Sequence, residues 1–274
     1  MKPARLQRLR RFLGALAEER FARPGAHPFH PARELAHPRD REFAAFLIAM
    51  LRTGHGDGDA TCACVLLNRL GRQPALTLVK ANRQMLDDLC SDLSLSFLGP
   101  QALSLWLAAL RNSLRRHRSL GDLFLHCLGP DGKRPLLVAL DRFVVELEKG
   151  TDEEELRAHR LGHLFPRPAK GSATARLHLF LRAVCRPDDG LDLGLWPKPL
   201  PGNLLLPMDQ AVLDRLVWLK LSEREKPSRG AVLEATQQLR MLNHLDPVFF
   251  HHSLEQLISL DLDVEAMRQR FRHA

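Results

Sequence analysis

The chain has 274 residues, 45% of them hydrophobic, enough to bury a core in one large domain or two small lobes. No apolar run approaches the roughly 20 residues of a membrane-spanning helix, and the basic, amphipathic opening lacks a small-residue cleavage site, so a soluble cytoplasmic protein is expected. Forty Lys+Arg against 32 Asp+Glu give a net charge of +8, which favours a polyanionic partner and nucleic acid first, while the absence of Tyr, with few other aromatics, argues against a surface built on stacking platforms.

In chain order, the first helix carries Arg5, Arg8, Arg10 and Arg11, and a Pro/His-rich connector from Pro24 to Pro38 follows. Phe43, Phe46, Leu47, Met50 and Leu51 then recur with helical spacing. The loop Gly54 to Asp59 (GHGDGD) has neither the spacing of a calcium loop nor the lysine of a phosphate loop, and reads as a turn. Leu103, Trp106, Leu107, Leu110 and Leu114 form a second helical stripe. Its end is crowded by Arg111, Arg115, Arg116, His117 and Arg118, which complement the negative end of a helix. Leu140, Phe143, Val144 and Leu147 form a third stripe, and Asp152 to Glu155 read as an acid-rich first turn after Thr151.

After the irregular stretch from Arg160 to Lys170, a turn at Lys170-Gly171-Ser172 opens a helix with Leu177, Phe180, Leu181 and Val184 on one face. Arg167, Lys170, Arg176, Arg182 and Arg186 flank it. A Gly/Ser turn at a helix N-terminus exposes unpaired N–H groups that suit an anion, although a capped, solvated helix has the same sequence. Another irregular stretch, Arg186 to Leu206, leads into an apolar run ending on Asp209, which opens a helix bearing Leu213, Leu216 and Val217. A carboxylate in that position is a cap, an active-site anion, or both. Strand-like alternation is missing, so the expected fold is all-α, with ten to thirteen helices at ordinary helix lengths.

Cys62, Cys64, Cys90, Cys127 and Cys185 show no finger or cluster spacing and read as reduced, mostly buried thiols. His251-His252 reads as surface or core rather than as a ligand pair, so neither metal nor cofactor is expected. Trp106, Trp196 and Trp218 each sit in an apolar pattern, where core packing is the expectation and stacking on a base the alternative.

The segments KGSATARLHLFLRAVCRPDDGLDLGLW, LLLPMDQAV and LDPVFFHHSL resemble a bacterial family, domain of unknown function 2400. DREFAAFLIAMLRTG matches that family's N-terminal helix, so the similarity runs from about Asp40 to Leu254. That family in turn resembles the helix-hairpin-helix DNA base-excision glycosylases, particularly their archaeal 8-oxoguanine branch. The resemblance implies a monomeric, two-lobed helical bundle with a degenerate hairpin: an N-terminal helix and connector (1–38), a helical lobe (39–169) and a lobe carrying the Asp (170–274). It implies duplex DNA with a flipped base as partner, Asp209 as the catalytic group, and DNA contacts from Arg167, Lys170, Gly171, Ser172, Arg176 and Arg182.

The family's usual lysine falls on Ala175, its later acidic position on His251 and its glycine on Gln256. Alanine cannot attack the sugar to form a Schiff base. The expected reaction is therefore hydrolysis of the N-glycosidic bond without strand cleavage. In it the Asp209 carboxylate stabilises positive charge on the sugar and orients a water. Two further readings stay open: a DNA-binding protein of this fold that has lost catalysis, and a helical protein-interaction scaffold in which Asp209 is only a cap.

Overall fold

The computed structural model describes residues 3–21, 27–52, 61–95, 98–149, 151, 153–159, 161–259 and 269. The loop Gly54 to Asp59, the start of the Pro/His-rich connector, Asp152 and Arg160 lie outside them. The described residues form an all-α protein without strands. The chain divides into two compact units: an inserted unit, residues 28–170, and a terminal unit, residues 1–27 with 171–274.

The first helix, α1 (Pro3–Phe21), belongs to the terminal unit. The sequence suggests grouping residues 1–38 as one segment; the structure splits them because α1 has an apolar face of its own to bury. Leu9, Phe12, Leu13, Leu16 and Ala17 are covered, chiefly where α1 packs on the last helix, and the Ser253 hydroxyl donates to the Leu13 carbonyl at 2.5 Å. Residues 28–38 go with the inserted unit.

That unit contains α2 (His30–Arg33), α3 (Pro38–Leu51), α4 (Thr61–Leu70), α5 (Pro74–Lys80), α6 (Arg83–Cys90), α7 (Pro100–Arg116), α8 (Leu120–Leu128), α9 (Leu136–Glu148) and α10 (Glu153–Ala158). Prolines at the first helical positions of α3, α5 and α7 preset φ and forgo an N–H that has no helical partner there. From Phe43 to Leu51, α3 is buried on every side, with α2, α4, α5 and α8 packed around it. Phe46 stacks on Trp106 of α7 at 5.9 Å and meets Phe143 of α9 edge-on at 6.1 Å, an aromatic centre of the kind that dominates core energetics.

Helix ends in this unit are fastened by side chains from other helices. Asp40 accepts the Ala75 N–H at 2.9 Å, and Glu42 accepts those of Leu120 and Gly121 at 2.7 and 3.2 Å, serving the N-termini of α5 and α8. At the opposite ends, Arg115 donates twice to the Val79 carbonyl (2.9 and 2.6 Å) and Arg111 donates to that of Ala81 (3.1 Å). Arg116 donates to the carbonyls of Glu146 and Lys149 at 2.9 and 3.0 Å. The basic group expected to serve its own helix thus serves the C-termini of α5 and α9.

The terminal unit adds α11 (Ala175–Cys185), α12 (Gln210–Trp218), α13 (Arg229–Leu242) and α14 (Phe250–Ser259). All of α11 from Leu177 to Cys185 is buried, polar residues included. The stretch beyond it lies along its C-terminal end: the N–H groups of Leu193 and Trp196 donate to the carbonyls of Ala183 and Val184, both at 2.7 Å. On α12, Leu213 and Leu216 are buried as their spacing predicts. Val217 is not: it is 42% exposed, one residue around the helix from the covered face.

Candidate functional site

The two features that sequence reading singles out, the turn before α11 and the carboxylate before α12, both lie at helix N-termini of the terminal unit. Gly171 has φ +84 and Thr174 φ +46; the first is unstrained for glycine, the second is a rare conformation for a β-branched residue. The Ser172 hydroxyl accepts the Thr174 N–H at 3.2 Å, and the Gly171 carbonyl accepts the N–H of Arg229 at 2.9 Å, tying the turn to the start of α13. Lys170, Gly171 and Ser172 are exposed, and Ala175 is the half-exposed first residue of α11. Arg176, also half-exposed, has its pKa lowered by burial.

Asp209 stands at the end of Leu204–Met208, all buried, with the Leu206 N–H pinned to the Thr236 hydroxyl at 3.0 Å. Its backbone is extended, one carboxylate oxygen accepts the Val212 N–H at 3.0 Å, and the side chain is half-buried. It is an N-cap, and its charge faces the positive end of α12.

Two of the cations expected to grip DNA are engaged within the protein. Arg167 belongs to the inserted unit, where it forks onto Asp141 (3.0 and 2.6 Å) and reaches Glu148 at 3.3 Å. Asp141 also accepts the Ala169 N–H at 3.1 Å, and Arg167 with that bond holds its carboxyl below the ordinary range.

Arg182 requires a correction. It is 0% exposed and cannot reach a DNA backbone. Its guanidinium contacts Asp192 at 3.3 Å, Glu255 at 3.1 Å, His27 Nε2 at 3.3 Å and the Nδ1 of His251. The reason is position: Arg182 lies in the middle of a helix covered on all sides, so its charge has to be met by buried carboxylates.

One turn on, Arg186 extends the cluster. It donates to Asp246 at 2.8 Å, to Asp189 at 2.7 Å and to Asp192, and lies 3.1 Å from His252 Nε2 and 5.6 Å over the Phe249 ring. His252 Nε2 is 3.1 Å from Asp192. Burial by itself raises the Asp192 carboxyl, but Arg182, His252 and Arg186 overcome it and hold the group far below the ordinary range. Burial lowers His27 and His252, and pushes His251 down to about 4 against the pull of Glu255.

His27, His252 and Glu255, and likewise Asp189, Asp192 and His252, bring ligand-type atoms within 4.8 Å of one another. Arg182 contacts His27 and Glu255, and Arg186 contacts the other three. A metal ion at either place would have to displace a guanidinium. Sequence reading misses this cluster because its members come from residues 27, 182–192, 246 and 251–255; the available signal is two arginines four apart, one inside an apolar helix and one at its end.

The tryptophans pack against phenylalanines: Trp106 on Phe46, Trp196 edge-on to Phe180 at 5.2 Å, and Trp218 at 6.4 Å from Phe12. Cys62, Cys90, Cys127 and Cys185 are buried and Cys64 partly so, all as free thiols. Burial pushes Cys90 up to about 12 and Cys127 to about 11, which leaves both unreactive.

The model of a family described as a protein of unknown function (DUF2400) matches residues 27–258, and the chain belongs to that family. No curated protein and no solved structure matches the chain.

Proposed function

We propose that this DUF2400 member is a DNA base-excision protein. In this reading it hydrolyses the N-glycosidic bond of a damaged or modified base in duplex DNA, acting as a monomer and leaving the strand uncut. The observation that carries the reading is the placement of Asp209, a half-buried carboxylate fixed by its backbone and cap at the end of a buried apolar run. Departure of a base builds positive charge on the sugar. A carboxylate held without reorganisation stabilises that charge and orients the water that completes hydrolysis. With Ala175 where the resembling glycosylases carry their lysine, no amine is available there for a Schiff base. Lys170, Gly171, Ser172 and Arg176 are the expected contacts to the DNA backbone; Arg182 is closed off inside the protein and Arg167 is forked onto Asp141.

The test is base release from labelled duplexes carrying single uracil, 8-oxoguanine, hypoxanthine or alkylated purines, read with and without alkali. The expected result is breaks that need alkali, reduced at least about a hundredfold in Asp209→Asn. Asparagine caps a helix as well as aspartate does, so that variant keeps its fold. Release that survives Asp209→Asn sinks the assignment. No release from any duplex, with binding that weakens steeply in salt, favours a non-catalytic DNA-binding protein, the reading to which Ala175 lends weight.

A further inference from the structure

We infer that Lys226 and Arg229, on the segment that leads into α13, hold the DNA backbone beside Asp209 and extend the contact begun by Gly171 and Ser172. The inference rests on the DNA base-excision reading and adds two residues to its binding edge.

Two hydrogen bonds assemble that edge from stretches far apart in the chain. The first N–H of α13, that of Arg229, has no partner within its own helix and donates to the Gly171 carbonyl at 2.9 Å. Gln210, the residue after Asp209, donates from its side-chain amide to the Glu225 carbonyl at 3.2 Å. The turn before α11, the start of α12 and residues 225–229 are therefore neighbours within the terminal unit. Gly171, Ser172, Gln210, Lys226 and Arg229 are all exposed. A Cβ added at Gly171 would meet nothing within 4 Å, and one at Gly230 only the Ser228 hydroxyl at 3.8 Å, so the protein covers the edge at neither place.

Among the described residues, neither the Lys226 ammonium nor the Arg229 guanidinium has a hydrogen-bond or ion-pair partner. That separates them from Arg182 and Arg186 in the cluster and from Arg224 in the same segment, which Glu234 holds at 2.9 Å. A duplex brought to Asp209 is repelled by that carboxylate, and by Asp214 and Glu225 on the adjoining stretches. Cations on the same edge offset the repulsion, and these two can meet phosphate without first breaking an internal pair. Arginine forks onto phosphate oxygens and lysine meets them as a point charge. Residues 225–229 carry no large aliphatic or aromatic side chain, which suits a hydrated polyanion rather than an apolar partner surface.

The test is fluorescence anisotropy on the labelled duplexes of the base-release assay, titrated over a range of salt concentrations. It compares wild type with Lys226→Gln/Arg229→Gln, with Arg229→Lys, and with the charge-matched control Arg72→Gln/Lys80→Gln. Arg72 and Lys80 are exposed cations of the inserted unit that also have no partner among the described residues. The Lys226/Arg229 double variant is expected to bind at least about tenfold more weakly at low salt, with the slope of log affinity against log salt shallower by about two. Its thermal midpoint stays at the wild-type value, since both positions are exposed. Arg229→Lys retains most of the slope, and the control retains wild-type affinity. Wild-type affinity and slope in the double variant overturn the inference while leaving the DNA reading intact. An equal loss in the control also overturns it, by tracing the effect to net charge. Absence of salt-sensitive binding by the wild type ends the DNA reading and this inference with it.

Discussion

Two sets of arginines, one in each compact unit, have opposite uses. In the inserted unit Arg111, Arg115 and Arg116 lie at or near the surface and close the C-termini of α5 and α9, while Asp40 and Glu42 do the same for the N-termini of α5 and α8. Each of these five charges meets a partial charge of the backbone, whereas Arg167 of the same unit forks onto the Asp141 carboxylate. In the terminal unit Arg182 and Arg186 are interior, and full charges meet full charges: Asp192, Glu255, Asp189 and Asp246, with three histidines among them. The contrast teaches that a net charge of +8 is a poor guide to a polyanion-binding face. Arg182 and Arg186 are consumed inside the fold, and Arg111, Arg115, Arg116 and Arg167 are engaged on the protein's own carbonyls and carboxylates.

The sharpest way to break this comparison is to remove one interior guanidinium. Arg182→Met retains a similar volume but leaves Asp192 and Glu255 without one of their cations in a site closed to water. Loss of one member of a buried pair typically destabilises by about 3–5 kcal/mol. Urea unfolding of the full chain should show a loss of that order. A loss below about 1 kcal/mol would mean that the cluster rearranges or admits water, and that its interior character is overstated.

Acid separates the units more gently. His178 and His251 have an ordinary pKa of 6.5 and are lowered to about 4 by burial, while His27 and His252 are lowered as well. The unfolded chain takes up the His178 and His251 protons near pH 6.5 and the folded chain only near pH 4. Their contribution is therefore complete above about pH 6.5 and is lost as the pH falls toward 4. In the inserted unit burial lowers the half-exposed His117, but Asp87 and Asp141 have their carboxyls below the ordinary 3.8, so their share persists until more acid conditions. Trp106 reports on the inserted unit; Trp196 and Trp218 report on the terminal one. Fluorescence of Trp106→Phe should change at a higher pH than that of the protein carrying Trp196→Phe and Trp218→Phe together. Coincident transitions would show that the units unfold as one.

How much of this could be read from the chain depends on the range of the interaction. The stripes at Phe43–Leu51, Leu103–Leu114 and Leu140–Leu147 are buried as their spacing implies, because periodicity encodes which face is covered. Asp209 as a cap was equally readable, since a cap and its N–H are three residues apart. Val217 fails because the covered face of α12 is narrower than its apolar residues suggest. Arg182 fails for a different reason. RLHLFLRAVCR reads as an apolar helix with a basic rim, and only partners up to 155 residues away turn that rim inward.

The smallest effect should come from the helix-end arginines. Arg115→Ala removes two bonds to the Val79 carbonyl at the end of α5, at an exposed position where water can replace the lost donors. Charges at exposed helix ends contribute a few tenths of a kcal/mol to one, screened by salt. The thermal midpoint should therefore drop by about 2 °C or less, and by less still at high ionic strength. A larger, salt-independent drop would mean that Arg115 closes α5 through packing of its aliphatic stem. The inserted unit would then depend on its arginines as heavily as the terminal unit does, and the difference between the two would be one of placement alone.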